Sequence, residues 1–127
     1  MRYLLDTHTV IWYLEDSSRL PQRTKEIIHN NGKNSCLCAV SLWEIAIKIG
    51  VGKLQLCFTF EEFLDKVRKC DFDVLEINND HLKRFVVLPS IHKDPFDRLL
   101  VSTALAENLT IITVDENIRK YSVPCIW

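Results

Sequence analysis

Short apolar runs alternate with amphipathic stretches along the whole chain. Residues 2–5 (RYLL) read as a buried strand that Asp6 ends, and a helical spacing begins at residues 10–14 and runs to the polar turn DSSRLP. Pro21 suits the first turn of a second helix over QRTKEIIHNNG, which Gly32 closes. Residues 35–39 form a second strand. Ser41 then matches a helix N-cap, with Glu44 three positions on in the S-x-x-E pattern and Ile45 and Ile49 on the buried stripe before Gly50.

The second half repeats the alternation. Residues 60–70 read as a helix, 72–77 as a strand and 79–87 as a helix stopped before Pro89. Asp94-Pro95-Phe96-Asp97 is a helix start, with an acid at the cap, proline in the first turn and a second acid at the third position, and the helix continues through LLVSTALAENL. Residues 110–114 form a β-branched strand, DENIRKY a short helix and VPCIW a last strand. Strands that alternate with helices predict an α/β fold with a parallel sheet covered on both faces and right-handed crossovers.

That topology changes the meaning of four acids. A crossover helix begins at the edge where strands end, so strand C-termini and helix N-termini gather on one rim. Asp6 and Asp115 are expected there from strands, Glu44 and Asp97 from first turns of helices. Like charges converging on one rim call for a divalent cation, and without a His pair at ligand spacing an oxygen-rich Mg²⁺ or Mn²⁺ site is favoured over zinc. Each acid also has a plain structural use. Glu44 and Asp97 sit at third positions of capping patterns and Asp115 can cap the short helix after it, whereas Asp6 has no capping partner at its third position. The inference of a site rests on the four together.

Several neighbours admit two readings. Lys48 lies one turn beyond Glu44, so it pairs with that acid or reaches a substrate phosphate; Arg98 beside Asp97 has the same two options. Asp94 is explained by capping, and with Thr7 and Thr113 it is expected to support the acids rather than bind ligand. His8 and His92 fall near the rim. Trp12, Trp43 and Trp127 are expected to pack as core or interface anchors rather than to stack on bases.

Composition narrows the rest. The 127 residues fit one domain, 1–127, and 47% hydrophobic with 26% charged residues is a globular balance. A formal charge of −1 leaves nucleic-acid binding to a local basic patch. Five cysteines without a C-x-x-C pair predict a reducing, cytoplasmic setting, and Cys36 and Cys38 read as core residues. MRYLLD is too short an apolar stretch for a secretion signal, and no run approaches the roughly 20 apolar residues that span a bilayer.

LLDTHTVIWYL, SLWEIAIKIGVGKL, HKDPFDRLLVSTALAENLTIITVDENIRKY and VPCIW, in that order, cover nearly the whole chain. Together they resemble PIN-domain ribonucleases, in particular the VapC-like toxins of bacterial type II toxin–antitoxin modules. The resemblance implies a three-layer α/β/α sandwich with a parallel sheet of about five strands. It also implies a metal-dependent endoribonuclease whose metal-binding acids match Asp6, Glu44, Asp97 and Asp115. Frequent homodimers and inhibition by a small antitoxin that lays a peptide or helix across the site are implied as well. Three alternatives stand beside it. The same fold could serve RNA processing or RNA binding without toxicity. A haloacid-dehalogenase-type phosphatase wants an acid two residues after Asp6, where this chain has His8. A receiver-type phosphoacceptor wants a lysine near the last strand, which VPCIW lacks.

Overall fold

The computed structural model describes residues 1–127. The elements are β1 (Tyr3–Leu5), α1 (Thr7–Leu14), α2 (Gln22–Asn30), a 3-10 turn (Gly32–Asn34), β2 (Ser35–Cys38), α3 (Ala39–Gly50) and α4 (Phe60–Lys69). Then follow β3 (Asp73–Leu75), α5 (Asn79–Val87), α6 (Pro95–Glu107), β4 (Thr110–Ile112), α7 (Glu116–Arg119) and β5 (Cys125–Ile126). The five strands are all parallel in the order β3-β2-β1-β4-β5.

The period-2 geometry of a strand divides each apolar run between two cores. Leu4, Cys36, Cys38 and Ile111 face one side, where α6 and α7 contribute Leu100, Val101, Ala104 and Ile118. Their neighbours Leu5, Leu37 and Ile112 face the other, against Val10 and Ile11 of α1, Ile28 of α2, Ile45 of α3 and Phe63 and Val67 of α4. Helices therefore cover both faces of the sheet, as the alternating pattern predicts. The chain winds outward from β1 to β3 on one face and returns to β4 and β5 on the other. The winding reverses between β1 and β4, and a crevice opens beyond the strand ends at such a reversal.

Helix ends are set by local chemistry. Thr59 and Glu62 complete a capping box on α4, and Asn78 does the same with His81 on α5. Asn108 ends α6 in the left-handed region at φ 59°, a conformation that asparagine tolerates. The strands are shorter than their apolar runs, α2 runs from Gln22 to Asn30 with Pro21 at its N-cap, and two further helix starts move in ways that bear on the acids. Helix α3 begins at Ala39, directly after β2, with Cys38 at its N-cap and no side-chain cap bond. Ser41 is therefore inside the helix, and Glu44 belongs to its second turn rather than its first. Helix α1 begins at Thr7 with Asp6 as its N-cap, three residues before the apolar spacing announces it.

Candidate functional site

Asp6 is the hub of the rim. Its N–H donates to Ile112 O at 3.2 Å, extending the β1–β4 ladder past the last strand residue. Oδ1 accepts from the Thr7 N–H at 2.7 Å and Oδ2 from the Thr113 hydroxyl at 2.8 Å, with the residue only 7% exposed. Two threonine hydroxyls then link Asp6 to two more acids. The Thr7 hydroxyl donates to Glu44 Oε1 at 2.8 Å, and Thr113 Oγ1 accepts from the Asp115 N–H at 3.0 Å. Asp115 Oδ1 caps α7 through the N–H groups of Asn117 and Ile118. Asp6, Thr7, Thr113, Glu44 and Asp115 thus form one hydrogen-bonded chain across the switch point.

Asp97 joins them from α6. The cap itself is Asp94, whose Oδ1 accepts from the N–H groups of Phe96 and Asp97 at 2.9 and 3.2 Å. The Asp97 side chain does not return the capping bond. Instead Oδ2 meets His92 Nε2 at 3.2 Å. His92 Nδ1 lies 2.8 Å from the Tyr121 hydroxyl, which also accepts from Arg98 at 3.2 Å.

The electrostatics follow from burial and crowding. The Asp97 carboxyl is pushed up to about 7, first by burial and further by the charges of Asp94, Asp6 and Asp115, while the His92 bond opposes the rise. Burial also raises Asp6; bonds from Thr113 and Thr7 and the charge of His8 counter it, and Asp115 adds to it. Lys48 Nζ bonds Glu44 Oε2 at 2.8 Å, and that bond holds its ammonium above the usual lysine range. The rim gathers negative charge, with Lys48 paired to Glu44 and His8 and His92 beside Asp6 and Asp97. No three His, Cys, Asp or Glu side chains surround a common point as a finished chelate. Mg²⁺ does not require one, because it keeps several waters and takes one or two carboxylates together with substrate oxygens. Hard carboxylate oxygens crowded on one rim fit that demand.

The family model described as the PIN domain matches residues 3–124. The chain belongs to the PIN domain family. This PIN domain is also similar to Ribonuclease VapC22 of Mycobacterium tuberculosis, at 25% identity over 122 residues, 95% of this chain and 92% of that one. Among solved structures it resembles VapBC2 from Rickettsia felis bound to a DNA fragment from their promoter, with a TM-score of 0.73 at 18% identity. That match covers 100% of this chain and 99% of that one. DNA-bound VapBC from Salmonella typhimurium gives 0.72 at 17%, covering 99% and 97%. These structural likenesses carry the fold, and the fold is the PIN arrangement that the sequence motifs implied.

Within this PIN domain some expected contacts change. Lys48 takes the pairing option with Glu44. Arg98 turns from the rim: its guanidinium donates to Pro89 O at 2.9 Å, reaches Leu88 O and lies over the Phe85 ring. It staples a loop and also donates to the Tyr121 hydroxyl at 3.2 Å, so it does not take the expected pairing with Asp97. Asp6 does have a capping role, so its strand-end position rather than a lack of structural use distinguishes it. Trp43, expected to pack, is 61% exposed and meets only the edge of Phe96 among aromatic rings. Cys36 and Cys38 lie in the core, where burial pushes the Cys38 thiol up to about 12. Tyr121 was not legible as part of the site. Its sole signal was a tyrosine ending the DENIRKY helix, and only the fold brings its hydroxyl to His92.

The most pronounced surface concavities contain none of the four acids. The largest, lined by Tyr13, Lys25, His29, Lys66, Lys69 and Cys70 among others, lies elsewhere. Chemistry rather than depth marks the site, and an open rim suits a polymer better than a small molecule.

Proposed function

We propose that this chain is a Mg²⁺- or Mn²⁺-dependent endoribonuclease that hydrolyses RNA phosphodiester bonds and acts as the toxin of a type II toxin–antitoxin module. The observation that carries the reading is the threonine-linked arrangement at the β1–β4 switch point, in which the buried Asp6 and Glu44 carboxylates meet half-buried Asp115, with the half-buried Asp97 beside them. Membership of the PIN family and the likeness to Ribonuclease VapC22 support it.

Asp6, Asp97, Glu44 and Asp115 would hold the cation. A bound Mg²⁺ or Mn²⁺ supplies Lewis-acid polarisation of the phosphodiester and lowers the pKa of a coordinated water. The protein's own part is positioning. Thr7 and Thr113 each donate a hydrogen bond, to the Glu44 and Asp6 carboxylates respectively, which orients them before any ligand arrives. Lys48, partly exposed beside Glu44, offers positive charge to the RNA backbone. His8 is exposed one turn before Trp12, close enough to Asp6 for its charge to act on that carboxyl.

The module requires partners. We assign a homodimer contact to the apolar stripe Trp43 and Ile47 of α3 and Val51 at its C-cap, exposed at four-residue spacing. An antitoxin that covers the acid rim accounts for control of the nuclease. No helix is long and apolar enough to cross a membrane, and the five free thiols suit a cytoplasmic setting.

Protein freed of any bound partner is expected to cut RNA with Mg²⁺ or Mn²⁺ and to stop when a chelator is added. Asp6→Asn and Asp97→Asn should each abolish cutting. Cleavage that survives in both variants with chelator present overturns the reading.

A further inference from the structure

We propose that Tyr121 and His92 are positioning residues that hold the Asp97 carboxylate in one orientation for a divalent cation. This rests on the metal site proposed above and assigns work to residues outside the four acids.

The direction of each hydrogen bond follows from donor and acceptor chemistry. A guanidinium can only donate, so at 3.2 Å the Tyr121 oxygen accepts from Arg98. The phenolic proton is then free for His92 Nδ1, at 2.8 Å. Above about pH 7, where Asp97 is ionised and able to take a cation, its carboxylate can only accept, so His92 Nε2, 3.2 Å from Asp97 Oδ2, then carries the ring proton. One neutral imidazole tautomer satisfies every contact. Arg98 sets the phenol, the phenol sets the imidazole, and the imidazole sets the carboxylate.

Both ends of this relay are anchored. Tyr121 is 4% exposed and belongs to the core cluster beneath α6. Arg98 donates to Pro89 O at 2.9 Å and lies over Phe85, which ties down the segment that carries His92. Asp97 Oδ2 is therefore committed, while Oδ1 accepts no protein hydrogen bond. A carboxylate held by one oxygen and open at the other is suited to binding a cation through that one atom. Partners of this kind behind a ligand typically alter metal affinity by about 10–100-fold.

Mn²⁺ binding to the full chain, measured by calorimetry at mildly alkaline pH, tests the relay alongside ¹⁵N NMR of the imidazole. Tyr121→Phe and His92→Ala are each expected to weaken Mn²⁺ binding by about 10–100-fold. His92→Gln, whose amide N–H can take the place of Nε2, should recover most of that loss. The wild-type His92 ring should show the Nε2–H tautomer, and Tyr121→Phe a mixture. An Nδ1–H tautomer in the wild type overturns the proposal even if no variant folds. Unchanged affinity in Tyr121→Phe and His92→Ala, with binding lost in Asp97→Asn, overturns the relay and leaves the metal site standing. Wild-type affinity in Asp97→Asn would instead remove Asp97 from the metal site and overturn the relay with it.

Discussion

Two charged regions of this molecule look equally suited to ligand binding until their chemistry is compared. One is the acid rim at the carboxyl ends of β1 and β4; the other is the large concavity where Tyr13, Lys25, His29, Lys66 and Lys69 meet Asp16 and Glu26. In the concavity opposite charges already pair, as Lys25 does with the largely exposed Asp16 at 2.9 Å. At the rim, like charges gather in buried and half-buried positions, and Lys48 is paired with one of them. Size distinguishes the concavity, whereas unresolved electrostatic conflict distinguishes the rim. Conflict of that kind persists in a fold when something else is meant to relieve it.

The comparison breaks most sharply at the acids themselves. Asp6→Asn or Asp97→Asn should lower metal-dependent RNA cleavage by at least about 100-fold, because metal-supplied charge stabilisation amounts to several kcal/mol. Lys66→Ala and Lys69→Ala in the concavity should leave cleavage within about twofold, as expected of surface substitutions. Initial rates on a labelled RNA decide both. Equal losses in the two regions would erase the distinction.

Next in size is Thr113→Val. It removes the donor to Asp6 Oδ2 and the acceptor of the Asp115 N–H in a fully buried position. A loss of about 1–3 kcal/mol is expected from denaturant titration, since two buried groups are left without partners. Mg²⁺ affinity should fall with it.

The pH dependence sharpens the picture further. The Asp97 carboxyl lies at about 7 in the fold against 3.8 ordinarily, so the folded protein holds the proton more tightly than the unfolded chain. That contribution to stability is fully present below about pH 4 and is lost as pH rises through about 7. Asp6, also raised, acts in the same direction. Metal-free protein should therefore melt at lower temperature at pH 8 than at pH 5, and Mg²⁺ should stabilise it more at pH 8. Asp97→Asn should flatten this slope. A melting temperature that rises with pH in chelator would contradict the assignment. The smallest effect belongs to the concavity: breaking the Lys25–Asp16 pair should cost about 0–1 kcal/mol by chemical denaturation.

The element pattern was largely legible because local rules and the tertiary fold agree. Asn79–Val87 falls where the sequence indicates, and Asp94 and Asp115 cap α6 and α7 as their neighbours suggest. Where they disagree, the sheet wins. Ser41-x-x-Glu44 has the form of a helix start, yet the chain turns helical directly after Cys38, the last β2 residue paired with β3. Glu44 is thereby carried into the second turn, where it meets Thr7 and Lys48 instead of a backbone N–H. Asp6 lacks the capping-box pattern but still caps α1, because a single bond to the Thr7 N–H needs no second acid. Trp43 is the tryptophan that stays largely exposed, on a face of α3 that the core does not cover.

The sequence by itself determined the alternation of strands and helices, the parallel sheet and the arrival of Asp6, Glu44, Asp97 and Asp115 at one rim. All of these follow from periodicity and from the handedness of crossovers. Only the tertiary structure decided how each carboxylate is held. Thr7 and Glu44 are 37 residues apart, and Asp6 and Thr113 are 107 apart, and both pairs are joined by one hydroxyl. Arg98, Tyr121 and His92 likewise meet through space rather than through spacing. A hydrogen bond depends on direction and on tenths of an ångström, and a linear pattern specifies neither until the strands have set the register between them.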